Sequence, residues 1–221
     1  MLLPPSPLED LDHYRTHHHR RGTQMNTLYP KLYDKELERV MSEFPEFRIV
    51  KKSDSYFMKL LFVLLVVLTL GAQRTFMSAF TTTIGSTMYV PSKWGEWSNF
   101  QRHVILAHEA VHLRQQRRHG KLRFALLYLF CSFPILWATY RTMFEKEAYE
   151  ESMRIRSYYY GASSLRFPSY KAQLLSNFTS GKYMWMCLSN WELERWYEVT
   201  VSCLEDAEKD EQAARHREDI T

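Results

Sequence analysis

Cysteine is scarce in this chain: among 221 residues there are three, Cys131, Cys187 and Cys203. An odd number with no Cys-x-x-Cys pair reads as free thiols of a reducing compartment, and it excludes both a disulfide frame and a thiolate zinc site. Any metal must therefore use histidine and carboxylate. A secretory signal is also missing, because the opening MLLPPSPLEDLDHYR puts proline and acid where a leader carries a basic start and an apolar core. No nucleic-acid motif is present, and the net charge of +4 is spread along the chain, so no nucleic acid is expected as partner. Internal repeats are absent too. Finally, no apolar run reaches the about 20 residues needed to cross a bilayer. The longest, LLFVLLVVLTLGA from Leu60 to Ala72, lies between Lys59 and Arg74, and its length suits a helix buried in the protein's own core. A longer candidate from Tyr56 to Phe80 encloses Lys59, Gln73 and Arg74, which argues against a membrane as partner.

What is present fits a globular fold, since 45% of the residues are hydrophobic and 15% aromatic. Residues 1–26, with Pro4, Pro5, Pro7 and the run His17, His18, His19, lack apolar periodicity and read as a polar basic arm. A domain over 27–203 follows, and the acidic stretch 204–221 lacks a core face and reads as a solvated tail. Leu32, Leu37, Val40, Met41 and Phe44 recur at helical spacing until Pro45, and EFRIVKKSDS reads as a short strand. In TTTIGSTMYV, residues 81–90, Ile84, Met88 and Val90 alternate to one face, which predicts one strand at a sheet edge. Ser98 with Gln101 three residues on is a capping-box pattern, and Gly120 after the basic RRH is a C-cap, so a helix is expected over 99–119. Two buried helical pieces meeting near Pro134 come next, then a carboxylate-rich helix from about 140 to 156. The expected class is α+β, mostly helical, with a small antiparallel or mixed sheet.

Inside the 99–119 helix lies His108-Glu109-Ala110-Val111-His112. Residues four apart share a helix face, so His108 and His112 can offer two imidazoles to one ion, while Glu109 lies about 100° round and can reach a metal-bound water. That is the arrangement of catalytic zinc, in which three protein ligands leave a fourth position for water and a carboxylate takes its proton. His103 and His119 fall off this face and read as surface histidines. A third ligand is required. FEKEAYEESM offers Glu145, Glu147, Glu150 and Glu151, most of which should simply face water.

HEAVH followed by EKEAY resembles the gluzincin metallopeptidases, whose second helix carries Glu-x-x-Ala or Glu-x-x-Ser and a further polar residue. Together with TTTIGSTMYVP, LLYLF and FTSGKYMWM, the likeness extends over roughly residues 46–190 to small metallopeptidase-like proteins of bacteriophages and bacteria. The resemblance implies a minimal zincin in which His108, His112 and Glu145 hold Zn2+, Ala148 gives a small contact, and Glu109 is the general base of peptide hydrolysis. Glu147 is the rival third ligand. Tyr149 occupies the place where many gluzincins have Asp, so the hydrogen bond that orients a zinc histidine would come from Glu150, Glu147 or a carbonyl. Tyr149, His103 and Arg141 are the candidates to stabilise an oxyanion. A peptide or protein substrate would add as a strand along 81–90. The expected setting is a bacterial cytoplasm or a virion. The alternatives are a virion or structural protein that keeps the zinc site without turnover, and a membrane-embedded protease, which would need spans at Leu60 to Ala72 and Phe124 to Ala138.

Overall fold

The computed structural model describes residues 19–68, 71, 74–129, 138–180 and 189–218. The junction expected near Pro134 and most of FTSGKYMWM lie outside them. The chain divides into two compact units, residues 1–121 and 122–221. The class is α+β and mostly helical, with one three-stranded mixed sheet among the described residues.

In the first unit, helix α1 (His19–Glu43) starts inside the stretch read as an arm and leads to β1 (Arg48–Lys51). Helices α2 (Tyr56–Leu68) and α3 (Phe76–Ala79), strands β2 (Thr82–Ile84) and β3 (Thr87–Val90), and α4 (Asn99–His119) follow. The strand order is β1-β3-β2, with β1 parallel and β2 antiparallel to β3. The single strand expected over 81–90 is therefore a hairpin. Ile84 pairs with Thr87 across a two-residue turn, and Gly85 supplies the positive φ of 57° that such turns require. The turn also breaks the alternation: Met88 pairs with Thr83 and is buried, whereas Ile84 faces the other way and is 36% exposed. Only β2 is left as an edge on that side, because β3 is central.

Helix α4 forms where the sequence placed it. The Ser98 hydroxyl accepts from the Gln101 amide, Gln101 Oε1 accepts from the Ser98 amide, and Gly120 closes the helix at φ 83°. Residues 104–113 are all buried, a continuous band that a one-sided amphipathic helix would not have. Helix α1 packs on α4 through Tyr33 and Val40, and Glu43 ties the two helices by accepting from Arg114 and Arg117, each at 2.8 Å. These two guanidinium groups hold the Glu43 carboxyl below the usual carboxylate range, with the Arg114 hydrogen bond the largest cause.

Helix α2 overturns one expectation. The run from Leu60 is helical to Leu68, but it is not buried in the core: Tyr56 is 88% exposed, Leu60 70% and Val67 66%. Met58 is its one buried described residue. A helix apolar on every side carries no polar face to orient it, so its composition states that water is avoided without stating what replaces water. Among the described residues no helix is long and apolar enough to cross a membrane.

Lys52, in the turn before α2, is fully buried; its Nζ donates to the Phe76 carbonyl at 2.8 Å and lies 3.6 Å over the Phe76 ring. Burial pushes its pKa down to about 7, against the pull of the Glu109 carboxylate. The folded chain thus binds fewer protons than the unfolded chain between about pH 7 and the ordinary lysine value, so stability rises with pH across that window. Below it the buried ammonium carries its full cost, on the order of 5 kcal/mol. Thermal unfolding from pH 6 to 10 should show a rising midpoint in the wild type that Lys52→Met lacks; parallel profiles would show that the rise has another origin.

In the second unit, after α5 (Lys121–Leu129), helices α6 (Ala138–Tyr160), α7 (Pro168–Thr179) and α8 (Asn190–Glu218) pack on a short 3-10 turn, Ala162–Arg166. Leu193, Tyr197 and Val201, each four residues apart, bury one face of α8 beside Leu165, whose carbonyl accepts from Tyr197 Oη. The stretch read as a solvated tail is the continuation of α8. Most of its side chains are exposed, but Glu205 accepts from Arg166 at 2.9 Å and Glu208 from the Ala162 amide at 2.8 Å, which fastens it to the 3-10 turn.

Candidate metal centre

Helix α4 carries His108 and His112 one turn apart, with ring centroids 4.9 Å from each other and planes crossing at 82°. Both are buried, at 0% and 4% exposure, and the Nε2 atom of each lies out of reach of solvent. Gln115 Oε1 is 2.8 Å from His112 Nδ1. An amide oxygen only accepts, so Nδ1 is the donor of this pair and Nε2 is the ring atom left to face a metal. Gln115 stands where zinc proteins place the group that orients a ligand imidazole. Its spacing of three from His112 on one helix was a legible signal that a search for carboxylates passed over.

Glu109 is buried beside them at 1% exposure, and its Oε1 accepts from Thr81 Oγ1 at 2.9 Å. Thr81 is itself fully buried and directly precedes β2, the strand that packs against α4. One hydroxyl thereby fixes the carboxylate of the helix to the start of the sheet edge. No sequence pattern announces Thr81, since it is separated from Glu109 by 28 positions and is one of three consecutive threonines. The His108, Glu109 and His112 side chains are thus all buried, on neighbouring faces of α4.

In the second unit the four candidate glutamates of α6 fall into different surroundings. Glu145 is buried at 1% exposure and accepts a hydrogen bond from Tyr128 Oη of α5. Glu147 and Glu151 are half-buried, and Glu150 is exposed. Glu151 pairs with Arg154 at 2.6 Å, and Glu150 accepts from Trp196 Nε1 at 2.6 Å, so both are engaged within α6 and α8. Ala148 is fully buried, and its neighbour Tyr149 is 2% exposed with its ring 5.1 Å from that of Phe178. Arg141 is buried with its guanidinium 5.1 Å over the Tyr128 ring. His103 and His119, on α4, are half-buried. Tyr128 is the residue of this unit that sequence reasoning missed, because it sits in an apolar run with no spacing to distinguish it.

Two buried imidazoles one turn apart on α4 are a donor pair suited to a divalent transition metal. Compared with protein-family models, curated proteins and solved structures, the chain matches none.

Proposed function

We propose that the chain is a zinc-dependent peptidase in which His108, His112 and Glu145 hold the ion and Glu109 is the general base. The observation that carries this reading is Glu109 itself, a buried carboxylate set one residue after one imidazole and three before another and held by the Thr81 hydroxyl. Burying a carboxylate is costly unless it serves a charge or a proton nearby, and a bound divalent ion is the strongest such partner. His108 and His112, buried one turn apart on α4, support two of the three ligands. Of the four glutamates on α6, Glu145 alone is buried, which favours it over Glu147.

When bound, zinc supplies Lewis acidity, which lowers the pKa of water and polarises a peptide carbonyl. This chain supplies the rest. Glu109 takes the proton of the attacking water on the oxygen that does not receive the Thr81 hydrogen bond, and it passes that proton to the departing amine. Gln115 holds the His112 ring in orientation, and Tyr128 does the same for Glu145. A peptide would add as a strand on the β2 edge at Thr82–Ile84, next to the Glu109 carboxylate. Tyr149, His103 and Arg141 are retained as candidate oxyanion donors. The setting we infer is a bacterial cytoplasm or a virion, where the exposed Cys203 stays a free thiol. The second reading, a virion or structural protein with a zinc site and no turnover, is favoured by Tyr149 packing against Phe178.

Metal analysis of the purified chain together with hydrolysis of a broad peptide library decides between them. About one zinc per chain and cleavage that a chelator stops and added zinc restores are expected; zinc without cleavage would give the structural reading, and absence of zinc would remove both.

A further inference from the structure

We infer that α2 is a membrane-docking helix that enters one leaflet of an anionic lipid bilayer. Tyr56, Phe57, Leu60, Val63, Leu64 and Val67 are all exposed, and at 100° per residue they cover an arc of roughly 120°. The remaining faces carry Leu61, Phe62, Leu65 and Val66, half-exposed, and Lys59 is the one polar side chain between Tyr56 and Leu68. A partner helix covers one stripe and is flanked by charged positions, whereas this helix is apolar all round, as hydrocarbon requires. Its 13 residues span about 20 Å, enough to reach the middle of a bilayer core of about 30 Å and too little to cross it.

The base of the helix is built for a headgroup layer. Lys59 Nζ lies 5.1 Å over the Tyr56 ring, and aromatic rings with snorkelling lysines are the residues found at that depth. Over residues 46–74, Arg48, Lys51, Lys59 and Arg74 are exposed against the exposed acids Glu46 and Asp54. Such an excess draws the segment to anionic phospholipid, and it would repel a second copy of the same surface. The inference stands on the first unit alone and does not depend on the peptidase reading.

Flotation of the full chain with vesicles of phosphatidylcholine and phosphatidylglycerol, compared with phosphatidylcholine alone, tests it. Wild type should float with the anionic vesicles, at least about tenfold more weakly with the neutral ones, and more weakly at high salt. Leu60→Glu with Leu64→Glu should abolish flotation. Lys51→Glu with Lys59→Glu, changes at exposed positions outside the buried core, should weaken binding to anionic vesicles about tenfold or more, which keeps the test decisive should the first variant fail to fold. Failure of the wild type to float, or flotation unchanged in the charge variant, would overturn the inference. A wild-type dimer in size-exclusion chromatography with no flotation would assign the face to a second copy instead.

Discussion

Glu109→Gln is expected to lower peptide hydrolysis by about 10²–10⁴-fold or more while zinc content stays at the wild-type value. The amide is nearly isosteric, and its oxygen still accepts from Thr81 Oγ1, so the link between α4 and the start of β2 survives. On the proposed mechanism, what would be lost is the carboxylate's ability to take a proton from the attacking water. Glu147→Gln makes the same chemical change on a half-buried side chain of α6 and should cost far less. Steady-state rates with one library-derived peptide suffice for both variants. Equal rates in Glu109→Gln and wild type would rule out the general-base role even with zinc bound, and would move the reading to a structural site.

His112→Ala should abolish stoichiometric zinc, because two ligands rarely hold the ion tightly. Glu145→Ala should lose most of the zinc and Glu147→Ala should keep it; the reverse result would exchange their roles. Gln115→Ala makes a graded version of the same test. It leaves all three ligands in place but removes the acceptor at His112 Nδ1, so zinc affinity should fall about 10–100-fold without being lost. Competition against a chromogenic chelator reads all four variants. Full occupancy in His112→Ala would remove the proposed centre altogether.

The parts of the fold that were legible in the sequence are those fixed by neighbours along the chain. Ser98, Gln101 and Gly120 set both ends of α4 by bonds that close within a few residues, and the His108–His112 spacing is a property of any helix. The 81–90 hairpin departs from the expected single strand for a local reason as well: Gly85-Ser86 reverses the chain, which sends Ile84 to the opposite face from Met88. Thr81 and Tyr128 could not be found this way, since each acts on a residue that only folding brings near. The burial assigned to α2 failed differently. Its apolar character was read correctly, but periodicity identifies a buried face only where a polar face exists for contrast, and α2 has none.

Glu43 accepts from both Arg114 and Arg117, and Arg114 meets both of its oxygens, with Nε at 3.1 Å from each. This sharing sets an order in which the three positions can drift over generations. Losing Arg117, the more exposed of the two arginines, leaves the bidentate pair intact. Losing Glu43 first strands two cations one turn apart on the helix that bears His108 and His112. A lineage that abandons the clamp should therefore shed its arginines before its acid, and position 43 should covary with 114 more tightly than with 117.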